Sequence, residues 1–217
     1  MSFTHFFNIN NIFIHFGVFY VNGYPFVMMV WNVLLAMAPF PFFLLLSGYW
    51  KKTRFKKTGQ KLWAVFLFAL WFILLPNAAY LITDIRHLMN FCPAYSPSDV
   101  CVPGAWEIMF FFVYSILGWI VLVILLKQMK SLLAAIYNKK IAARSILVFI
   151  PLISLGVLLG LNERFNSWDV FIHPWLILWN LLRYFSVWGY FRNLVVFTAG
   201  FYLLYFLGDY LFKKKDF

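Results

Sequence analysis

The stretch FVMMVWNVLLAMAPFPFFLLLSGYW, residues 26–50, contains no Asp, Glu, Lys or Arg. A helix needs roughly 20 largely apolar residues to cross a bilayer, and four further uncharged runs approach that length: 62–83, 108–126, 145–162 and 193–208. Composition agrees, because only 12% of the chain is charged and 64% is hydrophobic, whereas soluble domains carry roughly 25% charged residues. The expected fold is an all-α polytopic membrane protein forming one membrane domain over residues 1–217. It has five transmembrane helices, near 26–50, 62–83, 106–126, 145–162 and 193–212, plus one or two interfacial helices. Asp209 falls near the end of the last span, where a helix end tolerates it.

The net charge of +11 takes its meaning from where the cations sit. Six of the 18 Lys and Arg residues lie in 51–61 (KKTRFKKTGQK), five in 127–144 and three in the tail at 213–215. Five alternating spans put all of these at one side and leave only Arg86, Arg164, Arg183 and Arg192 at the other. The positive-inside rule then gives a multi-pass plasma-membrane protein with its N-terminus outside and its C-terminus cytoplasmic. Basic residues in short loops beside spans answer to anionic lipid headgroups. Nucleic acid is not an expected partner, since neither a stacking platform nor a basic domain accompanies them.

Residues 1–25 read as an N-terminal amphipathic segment, in which Thr4, Asn8, Asn11 and His15 form one polar stripe at helical spacing. A sixth span results if residues 1–21 cross the membrane. Residues 170–191 are long enough to cross, but crossing would export the lysine tail, so they are expected to form an interfacial helix on the outer side. Cys92 and Cys101 share one outer loop and are disulfide candidates, because that side is oxidising. Gly156 and Gly160 form a GxxxG face, expected to pack within the chain, with a homodimer as the alternative.

The outer side gathers the chemistry. In PNAAYLITDIRHL, 76–88, Pro76 cannot donate to the Phe72 carbonyl, so the helix should kink or stop there, with Asn77 capping the freed backbone. Continued as a helix, the stretch puts Tyr80, Asp84 and His87 on one face with Thr83 beside it. In LGLNERFNSWDVFIHP, 159–174, Asn166 or Ser167 can cap a following helix on which Asp169 and His173 share a face. Two Asp/His pairs at spacings of three and four resemble metal-ligand pairs that zinc or iron would accept. Ion pairing with Arg86 and Arg164, and an organic binding site, are the competing readings, so neither a metal nor any other cofactor is assigned.

Three stretches, WNVLLAMAPF at 31–40, PNAAYLITDIRHL at 76–88 and GLNERFNSWDVFIHP at 160–174, together resemble an uncharacterised family of bacterial membrane proteins, domain of unknown function 1361. The resemblance covers most of the chain from about residue 30 onward. It marks Trp31, Asn32, Pro39, Pro76, Asn77, Tyr80, Thr83, Asp84, His87, Asn166, Ser167, Trp168 and Asp169. The chain departs from the pattern at Ala79, where proline is usual, and at Phe165, where tryptophan is usual. Arg164 lies closer to NSWD than the family's arginine, and His173 stands outside the pattern. The resemblance implies an integral membrane protein and brings no activity.

The leading functional expectation is a polar, outward-facing pocket that binds or processes a lipid-linked or small polar substrate. Asp84, His87 and Asp169 are its candidate catalytic residues. Asn77, Tyr80, Thr83, Arg86, Arg164, Asn166 and Trp168 are its candidate substrate-binding residues. Enzyme or binder is left undecided. The alternatives are a transporter or substrate-capture subunit working with a membrane-protein partner, and a structural or assembly factor.

Overall fold

The computed structural model describes residues 20–21, 24–90 and 105–213. Cys92, Cys101 and the polar stripe from Thr4 to His15 lie outside the described residues. A two-residue antiparallel ladder, β1 (Tyr20–Val21) with β2 (Tyr24–Pro25), leads directly into α1 (Phe26–Met37). There follow α2 (Pro39–Thr53), α3 (Thr58–Leu74), α4 (Pro76–Thr83) and a 3-10 helix, Asp84–Asn90. The chain continues as α5 (Ala105–Ile136), α6 (Lys139–Asn162), α7 (Asp169–Ile172), α8 (Pro174–Ser186) and α9 (Trp188–Leu211).

Among the described residues, five segments are long and apolar enough to span a membrane: 26–53, 58–87, 106–136, 139–162 and 188–211. The protein is thus an all-α polytopic membrane protein. The basic stretch 127–144 differs from the loop expected of it. Helix α5 runs on through Lys127 and Lys130 to Ile136, because Met129 and Leu132 keep burying apolar surface, and only residues 137–138 separate it from α6. The lysines stay at the helix surface, where their stems cover apolar neighbours while their ammonium groups reach out. Lys127 Nζ donates to the Phe212 carbonyl at 2.9 Å, and Lys127 and Lys130 each lie 3.4 Å from Asp209, tying α5 to the end of α9.

One helix over 170–191 is replaced by three pieces. Pro174 starts α8, and an extended Val187 separates α8 from α9. At about 1.5 Å per residue, the 13 residues of α8 reach about 20 Å, well short of the roughly 30 Å hydrocarbon core. Arg183 pins α8, donating to Asn180 and to the Tyr190 hydroxyl and lying 3.6 Å from Glu163 at the end of α6. The α6 residue Asn162 adds a hydrogen bond to the buried Tyr184, whose phenol burial holds above its ordinary pKa.

Two prolines inside spans show how the bundle meets the demand that every backbone group in lipid be satisfied. At Pro76 the helix does not stop. Leu75 keeps helical angles, its N–H reaches the Phe72 carbonyl at 3.3 Å, and the Asn77 amide donates to the Leu74 carbonyl at 2.9 Å. In α6, Pro151 leaves the Leu147 carbonyl without its helical donor, and the Tyr202 hydroxyl of α9 supplies one at 2.6 Å. Tyr202→Phe is therefore expected to cost about 1 kcal/mol in detergent unfolding. The cost should vanish when Pro151→Ala restores the N–H, and equal losses in both backgrounds would refute the pairing.

Candidate functional site

The short helix α4 is the centre of the site because it is nearly all backbone. Ala78 and Ala79 are fully buried, and the helix packs on α1, α5 and α6 at once. Glycines on the neighbours allow that approach. A methyl group on Gly118 of α5 would lie 2.5 Å from Leu81 Cβ and 2.9 Å from the Ala78 carbonyl oxygen. One on Gly156 of α6 would meet the Pro76 ring at 2.7 Å, and Gly160 faces the Tyr80 ring at 3.3 Å. The GxxxG face thus packs within the chain, against α4.

Asp84 follows α4 as its C-cap and is completely buried. Burying a carboxylate is costly unless donors and cations surround it, and residues from three helices gather there. Asn32 of α1 donates to Asp84 Oδ2 at 3.2 Å and to the Tyr24 hydroxyl at 2.8 Å. Tyr114 of α5, which donates to the Met29 carbonyl, stands beside the carboxylate. Arg86 and His87 lie 4.0 and 3.9 Å from Oδ1. The His87 ring stacks on Tyr24 with centroids 4.0 Å apart, and Phe111 flanks it at 6.0 Å. Burial and the nearby Asp84 carboxylate hold the Tyr24 phenol well above its ordinary pKa, so it stays a neutral hydroxyl.

In front of this cluster opens a cavity of about 520 Å3. Its walls carry Tyr24, Trp31, Asn32, Asn77, Tyr80, Arg86, His87, Arg164, Asn166, Ser167 and Trp168, with Leu35, Phe72, Ile73 and Val157 deeper along the helices. Arg86 donates to the Tyr80 hydroxyl at 2.9 Å and lies over its ring, which holds the guanidinium at the wall. Asn77 bridges to Ser167 at 2.9 Å, clamping α4 to the 163–168 loop. Arg164 in that loop has φ 60°, a left-handed backbone that costs a non-glycine residue about 1–2 kcal/mol. Among the described residues, no carboxylate lies within ion-pairing distance of it.

The candidate residues therefore divide. Asn77, Tyr80, Arg86, His87, Arg164, Asn166 and Trp168 line one cavity. Asp84 sits behind its wall, supporting His87 and Arg86. Thr83 turns inward and donates to the Tyr80 carbonyl at 2.6 Å. Asp169 is not in the wall. Its carboxylate accepts the Asn166 backbone N–H at 2.7 Å, closing the turn that starts α7. Asp169 and His173 are not joined by a third ligand, and among the described residues no three His, Cys, Asp or Glu side chains form a metal-binding group.

Sequence reasoning did not place Tyr24 in the site, and it marked Asn32 through the family resemblance without giving it a role there. Asn32→Leu should cost about 1–3 kcal/mol by stripping a buried carboxylate of its donor. Asn32→Leu with Asp84→Leu should recover most of that loss in detergent melting, since removing both partners is nearly neutral. A double variant as unstable as the single would show that the two side chains are not coupled.

No curated protein and no solved structure matches the chain. A family profile described as "Protein of unknown function (DUF1361)" matches residues 31–207. That range takes in Trp31 and Asn32, the whole of α4 with Asp84 and His87, and the NSWD turn. The chain belongs to this family of membrane proteins.

Proposed function

We propose that the cavity is an anion-binding site on the outward face of the membrane, where the protein binds or processes a lipid-linked or small polar substrate. The sign of the charge around the cavity carries the reading. Arg86, His87 and Arg164 line it, and among the described residues no Asp or Glu does. Guanidinium groups grip phosphate and carboxylate through paired N–H donors. An arginine held in a left-handed backbone without an acidic partner is a strained residue of the kind that collects at functional sites.

The roles follow from position. Arg86 and Arg164 hold the anionic group, and Asn77, Tyr80 and Asn166 orient what is attached to it. In the catalytic form of the reading, His87 faces the substrate and exchanges the proton, while Asp84 behind it positions the ring. Asp169 shapes the loop that presents Arg164. The outward assignment is supported by the basic residues gathered at the opposite ends of the spans, as the positive-inside rule requires of a cytoplasmic side.

Inorganic phosphate should raise the melting temperature of the detergent-solubilised protein, because a ligand of the folded state stabilises it by mass action. Arg86→Ala with Arg164→Ala should abolish the shift. Arg164→Gly separates chemistry from structure: it relieves the left-handed backbone, so basal stability should hold or rise by up to about 1 kcal/mol, while the phosphate shift falls. A double-alanine variant that still responds to phosphate like the parent chain would defeat the proposal.

A further inference from the structure

The cavity is larger and more graded than a small anion requires. At roughly 30 Å3 per water, its 520 Å3 equals about 17 waters, several times what a phosphate group fills. Its polarity also changes along the helices. Arg86, His87 and Arg164 stand at one end, Asn32 and Asn77 come midway, and Leu35, Phe72, Ile73 and Val157 close the other end. From Phe72 to His87 the wall rises about 22 Å at roughly 1.5 Å per residue, about half as much again as the roughly 15 Å of hydrocarbon in one leaflet.

The cavity also has an open side. Helix α4 packs on α5 through Leu81, Ala78 and Gly118, so its opposite face looks out between α1 and α6. Those two helices each pack on α4 and α5 but have no extended packing against one another. The rim of this seam is apolar and exposed: Trp31 is 37% exposed, Trp168 40% and Val170 39%. In a membrane protein, exposed tryptophans collect where headgroups meet acyl chains, and this rim carries two of them beside Val170.

Resting on the anion-site reading, we infer that the occupant is a phosphate-headed membrane amphiphile that enters sideways from the bilayer through the α1–α6 seam. The phosphate sits between Arg86 and Arg164, and the first part of the hydrocarbon chain lies along Leu35, Phe72, Ile73 and Val157. Two guanidinium groups and an imidazole, with no carboxylate among the described residues of the wall, favour a phosphate monoester over a zwitterionic headgroup, whose ammonium meets no anionic partner there. The graded wall supplies what a free phosphate cannot use.

The test reconstitutes the full chain in phosphatidylcholine nanodiscs doped with a minor fraction of phosphatidic acid, and reads retained lipid by native mass spectrometry. Inorganic phosphate is titrated in undoped discs as the headgroup-only arm. The parent chain should retain phosphatidic acid over phosphatidylcholine by roughly tenfold or more, a preference of about 1.4 kcal/mol. Arg86→Ala with Arg164→Ala should remove that preference. Leu35→Trp, which fills the apolar end, should cut phosphatidic acid retention by roughly tenfold and disturb phosphate affinity much less. Phosphate binding without phosphatidic acid enrichment, or enrichment indifferent to Leu35→Trp, overturns the amphiphile inference and leaves the anion site standing. No response to either ligand overturns both.

Discussion

Everything at the polar end of the bundle depends on one buried carboxylate. Asp84 has no exposed surface, and an uncompensated charge there would cost several kcal/mol. Its surroundings come from far along the chain: Asn32, whose amide donates to it, lies 52 residues before it, and Tyr114, beside it, lies 30 residues after it. Meeting that demand fixes the rotation of α1 and α5 about α4. The same interactions seat His87 between Tyr24 and Phe111. Arg86 is turned into the cavity as a consequence, because it follows Asp84 by two residues and is caught by the Tyr80 hydroxyl and ring. Stability and site geometry are therefore one problem here.

Close packing works in the same direction. Association of helices in lipid cannot draw on the hydrophobic effect between their surfaces, so it relies on small residues that let backbones meet. Ala78, Ala79, Gly118 and Gly156 bring α5 and α6 onto α4. Between α1 and α6 there is no matching set of small residues in extended contact, and there the bundle stays open. The cavity is what remains when three helices converge on a fourth and two of them lack extended packing against each other.

The spans were legible because length and lack of charge are local properties, and the shared side of Tyr80 and His87 was legible because helical spacing is local too. What stayed hidden were partners distant in sequence. Pro76 read as a kink or a stop with Asn77 capping the freed backbone, and Asn77 does donate to the Leu74 carbonyl as the chain resumes in α4. The second proline, Pro151, is repaired by a tyrosine 51 residues away, which no local pattern announces. Asp169 drew notice for its spacing to His173, and in the fold it closes the Asn-Ser-Trp-Asp turn, its side chain accepting the first backbone N–H. Tyr24 carried no signal, because its importance comes from Asn32 and His87 folding over it.

The distribution of polarity also separates the functional classes. A transport path needs polar groups from one membrane face to the other. Here the polar walls end at Asn32 and Asn77, and Leu35, Phe72, Ile73 and Val157 follow. Towards the basic end, Leu67, Trp71, Leu122, Leu125 and Met129 are buried in a continuous apolar core. Beyond it, Lys127 and Lys130 share the Asp209 carboxylate across α5 and α9. A cavity polar at one end and apolar at the other is what the proposed one-face site requires. A path across the membrane would require polar groups that this apolar core does not supply.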